Sequence, residues 1–265
     1  MPLAEVFSRA QAQNRAALIV FVTAGDPDLA ATERLVPALY EAGADLVELG
    51  IPYSDPLADG PIIQAAGQRA LAVGTTVAGI LASAQRIRAQ APVPLLIMTC
   101  FNPILQYGPA RFAQEAAAAG VEAVLVSDLP PEEAGDWPAI ANSAGLETVF
   151  LVAPTTQPER MARIAELSTG FVYVVSRAGT TGVREELPPE LPALLSRLRE
   201  VTDRPLAVGF GVSTPAQVQE VARLADGVIV GSAVVKRIGE LGEDGELVPR
   251  VAEFVRELAA GTPRD

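Results

Sequence analysis

Eight short runs along the chain are nearly continuous in β-branched and leucine-type residues: Ala17–Val22, Leu46–Leu49, Leu95–Met98, Ala123–Val126, Thr148–Val152, Phe171–Val175, Leu206–Val208 and Val228–Val230. Runs of this length that do not alternate apolar with polar have the pattern of parallel strands covered on both faces. Between them the period changes to that of amphipathic helices. Leu29–Ala42 carries apolar residues at Leu35, Val36, Leu39 and Tyr40, and Ala110–Ala119, Glu132–Ala144, Glu159–Leu167, Leu191–Val201 and Ala216–Leu224 repeat the scheme. Proline near the first helical position marks starts, as in Thr214-Pro215 and Gln157-Pro158, and glycine marks stops, as at Gly43 and Gly120. A helix is also predicted over Leu3–Gln13, with two helical segments in the interval 61–91 and an acidic turn and closing helix after Gly239.

Strand–helix units repeating every 25–45 residues or so predict an α/β chain folded as a (β/α)8 TIM barrel with an extra N-terminal helix. A doubly wound open sheet is the rival topology. The 265 residues suit the barrel, which typically needs about 250. No linker or low-complexity tract interrupts them, so 1–265 reads as one domain. The longest apolar stretch, Ala16 to Val22, is far short of a membrane helix, and no basic leader segment precedes it.

Composition removes several chemistries. The chain has no histidine, which excludes a Ser-His-Asp triad and any His-ligated metal. Cys100 is the only cysteine, so an internal disulfide, a CxxC redox site and a thiolate zinc cage are absent, and a reducing cytoplasm is the natural setting. Lys236 is the only lysine, leaving one candidate for a Schiff base. A net charge of −12 repels nucleic acid and disfavours anionic small molecules at long range. Any phosphate must therefore be held by local N–H groups.

In a barrel the chemistry sits just beyond the strand C-termini. Gly209-Phe210-Gly211-Val212-Ser213 and Gly231-Ser232-Ala233 follow strands 7 and 8 and lead into helices. Each alone reads as a tight turn; together, at the corner where barrels commonly hold phosphate, they predict an anion site. Arg177-Ala178-Gly179-Thr180-Thr181-Gly182 after strand 6 reads as a flexible connection or as a lid over the same ligand. Glu48 lies inside an apolar strand, where a carboxylate is costly unless it is paired with an arginine or used in catalysis. Asp59, before Gly60-Pro61, reads either as a helix N-cap or as a catalytic group, and Asp55 suits a turn. Two carboxylates facing one cavity can divide acid and base roles when burial raises the pKa of one of them.

At these residues the sequence resembles the tryptophan synthase alpha subunit family. The run from Val47 to Pro61, VELGIPYSDPLADGP, matches that family's signature nearly residue for residue. Phe21 to Pro27, Asn102-Pro103-Ile104, Ser127 to Pro130, Ser176 to Gly182, Gly209 to Gly211 and Gly231 to Lys236 follow in the family's order. The resemblance implies cleavage of indole-3-glycerol phosphate to indole and glyceraldehyde 3-phosphate, a retro-aldol reaction with no cofactor, no metal and no Schiff base. It implies Glu48 as the acid/base that protonates the indole C3 and takes the glycerol hydroxyl proton. Asp59 would hold the indole N–H and stabilise the indolenine cation. Phe21, Tyr173 and Phe210 would wall the ring, Thr181 would contact Asp59 on closure, and Gly182, Gly211, Gly231 and Ser232 would hold the phosphate. The sequence departs from the family at Cys100, where a tyrosine is common. The implied partner is the pyridoxal-phosphate beta subunit in an α2β2 assembly, meeting Tyr53 to Pro56, Asn102 to Gln106 and Pro130 to Glu133. An autonomous indole-glycerol-phosphate lyase, a phosphoribosyl isomerase-type barrel and a non-catalytic phosphate-binding subunit share parts of the pattern.

Overall fold

A computed structural model describes residues 2–56, 59–175, 188–209, 211–242 and 245–264. Eight parallel strands close into a barrel in chain order: β1 Ala17–Thr23, β2 Leu46–Gly50, β3 Leu95–Thr99, β4 Ala123–Val126, β5 Glu147–Val152, β6 Val172–Val175, β7 Leu206–Gly209 and β8 Gly227–Val230. β1 pairs with β8, which completes the ring and leaves no open edge. The open-sheet topology is thereby excluded.

Strand register sorts the side chains. Leu18, Val20 and Val22 of β1 point outward and join the large layer packed under the helices. Ala17 and Ile19 point inward with Leu46, Leu96, Leu125, Val149, Phe171, Tyr173 and Ile229 and fill the barrel. Both faces are dry, which is why the strand sequences do not alternate.

Outside the barrel lie α2 (Leu29–Glu41), α3 (Pro61–Ala72), α4 (Val77–Gln90), α5 (Phe101–Tyr107), α6 (Pro109–Ala118), α7 (Trp137–Ser143), α8 (Pro158–Leu167), α9 (Leu191–Arg199), α10 (Pro215–Ala222), α11 (Ser232–Leu241) and α12 (Leu247–Ala259). The extra helix, α1 (Leu3–Ala12), turns Leu3, Val6, Phe7 and Ala10 into the lower mouth of the barrel. There the Phe7 ring packs 5.4 Å from that of Phe171. Carboxylates finish the same end. Asp45, Glu122 and Asp226 accept the backbone N–H groups of Leu18, Leu95 and Leu206, and Arg15 grips Asp45 through two hydrogen bonds of 2.5 and 2.7 Å.

Two segments differ from the sequence expectation. The predicted helix over Glu132–Ala144 is shortened to Trp137–Ser143. Gly135 takes φ +50°, and Pro138 fits the first turn of α7 but would break a helix begun at Glu132. Conversely, α5 forms directly after β3, where the sequence pattern predicts no helix. No single helix among the described residues is long and apolar enough to cross a membrane; α3 and α4 together pass on length and composition but meet at 97°.

Candidate active site

Strand β2 carries Glu48 at an inward position, in register with Phe21 of β1 and Leu96 of β3. Its side chain is 0% exposed. Neither carboxylate oxygen has a hydrogen-bond partner, and no arginine pairs with it among the described residues. Among the described residues, therefore, nothing supports the structural-pair reading of Glu48. Burial alone pushes its carboxyl up to about 8, so the group is mostly protonated at neutral pH. A buried orphan of this kind is destabilising unless something arrives to use it.

Asp59 is half-buried ahead of α3. The N-cap of that helix is Gly60, without a side-chain cap, and Pro61 occupies the first helical position. The capping reading of Asp59 is thus corrected: the Gly-Pro pair shifts the helix start by one residue and leaves the carboxylate free of that task. Burial raises its pKa as well. The phenol of Tyr173 is raised well above its ordinary value, first by burial and then by the fields of Glu48 and Asp59. The three groups therefore lie close together: Asp59 and Tyr173 line one space, and Glu48 is buried near Tyr173 without lining it.

That space has two lobes. One, about 440 Å³ counted out to its mouth, lies among Phe21, Asp59, Met98, Tyr173, Gly211 and Ser232. The other, about 430 Å³, shares Phe21, Asp59, Ile63 and Met98 and reaches Thr23, Cys100 and Ser127. Phe21 and Tyr173 thus line one chamber. Glycine keeps the chamber open at two points. A Cβ on Gly50 would strike the Phe21 ring, and one on Gly209 would lie 2.6 Å from the Tyr173 hydroxyl.

Gly211, Gly231 and Ser232 meet at one corner of the first lobe. Gly211 takes φ +98°, which favours glycine. Ser232 opens α11, whose N-cap Gly231 has no side-chain cap; the Val234 and Val235 N–H groups donate to the Gly231 carbonyl, which leaves those of Ser232 and Ala233 without an intrahelical acceptor at the positive end of the helix, facing the chamber. Such a corner can accept an anion. Thr181, Gly182 and Phe210, and with them the predicted lid, lie outside the described residues.

Ile63, Met98, Val212 and Ile229 also line the first lobe, and the sequence reading singled out none of them. Met98 and Ile229 had a usable signal, since each is inward by the period of two that carries Leu96 and Gly227. Cys100 stands in the wall of the second lobe with its sulfur 3.9 Å from the Ser127 hydroxyl. Burial, aided by Asp128, pushes the thiol up to about 11, so it is an unreactive neutral group. A larger cleft, about 1650 Å³, opens at the opposite end of the barrel. Its arginines are engaged there: Arg15 by Asp45, Arg199 and Arg264 by Asp226 and backbone carbonyls, and Arg204 by the Thr169 carbonyl.

Residues 7–263 match the family model described as tryptophan synthase alpha chain. The tryptophan synthase alpha chain of Citrifermentans bemidjiense is 49% identical over 259 residues, 98% of this chain and 97% of that one. Among solved structures, Mycobacterium tuberculosis tryptophan synthase superposes with a TM-score of 0.91 at 42% identity, covering 99% of this chain and 98% of that one. The tryptophan synthase a2b2 complex of Pyrococcus furiosus gives 0.85 at 41% identity, with 92% and 98% covered. With its closed barrel and near-complete coverage on both sides, this chain belongs to the tryptophan synthase alpha chain family.

Proposed function

We infer that cleavage of indole-3-glycerol phosphate, the lyase reaction of this family, is carried out here by Glu48 and Asp59, with the substrate laid between the glycine corner and the aromatic wall. The observation that carries this reading is the fully buried, unpartnered Glu48 carboxyl with a pKa near 8. At neutral pH it enters the reaction as an acid.

Protonation of the indole C3 by Glu48 places positive charge on the ring nitrogen, which Asp59 holds through the N–H and stabilises. The bond from C3 to the glycerol chain then breaks. Its electron pair returns to the ring to regenerate indole, while the hydroxyl carbon becomes the aldehyde of glyceraldehyde 3-phosphate. The hydroxyl proton passes to the Glu48 carboxylate, which restores the acid for the next turnover. Phe21 and Tyr173, with Phe210, sandwich the ring and exclude water. The N–H groups at Gly182, Gly211, Gly231 and Ser232 hold the phosphate, and Thr181 steadies Asp59 in the closed state.

We also propose a beta subunit as partner, in a cytoplasmic α2β2 assembly, with the whole of 1–265 acting as one barrel domain. The assembly of the Pyrococcus furiosus relative supports this reading. Asp59 sits on the connection from Pro52 to Gly60, so a partner that binds its ordered form would shift the population toward the competent site. A 100-fold gain needs about 2.7 kcal/mol of differential binding. Titrating the chain with its cognate beta subunit while following indole release tests this. The rate per chain rises with partner if the reading holds; a rate that stays flat favours the autonomous lyase.

A further inference from the structure

Directly beside the phosphate corner lies an open surface cleft, about 210 Å³, walled by Ser213, Ala233, Lys236, Arg237, Glu240 and Phe254. Ser213 and Ala233 are the chain neighbours of Val212 and Ser232, which line the catalytic chamber. The two spaces thus flank the same two strand-to-helix junctions. Lys236 lies four residues after Ser232 on α11 and shares its face. Its ion pair with Glu240 spans 3.7 Å between two exposed side chains, a weak neutralisation. The Arg237 guanidinium sits 4.3 Å over the Phe254 ring and has no carboxylate partner among the described residues. Two cations with little compensation therefore stand next to the anion corner of a chain whose net charge is −12.

We propose that this cleft is the arrival site for the substrate's phosphate: Lys236 and Arg237 attract the anion against the repulsion of the chain as a whole and deliver it to the backbone N–H groups. The proposal rests on the reading of the corner as a phosphate site. The two cations act through their field, at a range set by the Debye length, and not by direct coordination in the bound state. Glu240 opposes them and lowers the capture rate.

The test is kcat/KM for indole release from indole-3-glycerol phosphate at about 0.02 M and about 0.5 M ionic strength. The proteins are wild type, Lys236→Gln, the double variant with Arg237→Gln, Lys236→Arg and Glu240→Gln. The double variant should lose roughly 3- to 10-fold at low salt through KM while keeping kcat, and the loss should vanish at high salt. Lys236→Arg should restore the wild-type value. Glu240→Gln should exceed wild type about twofold at low salt, an effect that damage to the fold does not produce. Should Arg237→Gln fail to fold, Lys236→Gln and Glu240→Gln carry the test by their opposite signs. A loss that persists at high salt, a loss in kcat, or low-salt values equal to wild type would overturn the proposal. If wild type releases no indole, the proposed reaction fails separately, and glycerol 3-phosphate titrated calorimetrically into the same variants then decides the capture claim by the same salt-dependent pattern.

Discussion

Replacing Glu48 with glutamine should make the protein more stable, and increasingly so as pH rises. The carboxyl sits at 4.5 in an unfolded chain and at about 8 in the folded barrel. Between those values the unfolded state releases the proton while the folded state keeps it, so stability falls as pH climbs. The same shift amounts to about 3 kcal/mol of lost stability at neutral pH and about 5 kcal/mol above pH 8. Against a typical total of 5–15 kcal/mol this is a heavy cost. Glutamine has no charge to bury and nearly the same shape. Near pH 5 the variant and the wild type should therefore agree within about 1 kcal/mol. At neutral pH the variant should melt higher by roughly 6–12 °C. Urea titrations followed by circular dichroism at about pH 5, 7 and 9 measure the difference directly. A difference that stays constant over that range, or that shrinks toward high pH, would refute the burial argument.

Asp59→Asn should leave the melting temperature within about 2 °C, because Gly60 caps α3, while kcat drops by roughly 10²–10³; large destabilisation with normal turnover would return Asp59 to a structural role. Gly211→Val should weaken indole-3-glycerol phosphate and free glycerol 3-phosphate together by at least about tenfold in calorimetric titration, since φ +98° is closed to valine; an unchanged Kd for both would place the anion elsewhere. If Glu48 is the proton donor, the kcat/KM profile of the wild type should fall as pH rises through about 8, where its carboxyl ionises. In Glu48→Asp the limb should move with the new carboxyl, and a limb that stays in place belongs to another group.

The barrel was legible because each strand is buried on both sides, so its apolar run needs no knowledge of its neighbours. Glu48 stood out by the same logic, as a charge inside such a run. Local chemistry left Asp59 ambiguous, because an aspartate before Gly-Pro satisfies the rules for an N-cap, and only the structure shows that the helix takes Gly60 instead. It misled at 132–136, where the acidic sequence looks like a helix start while Gly135 and Pro138 dictate a later one. Ile63 and Val212 reach the chamber from outside the strands, through the first turn of α3 and the junction after β7. That convergence is a property of closure, and a single strand's pattern does not encode it.

The most direct measurement is indole formed from saturating indole-3-glycerol phosphate by wild type and by Glu48→Gln, with glycerol 3-phosphate binding measured on the same samples. If Glu48 performs the proton transfers, the variant keeps the fold and the phosphate affinity and loses turnover by roughly 10²–10⁴. A variant that binds the phosphate and still turns over at more than about a tenth of the wild-type rate contradicts the account.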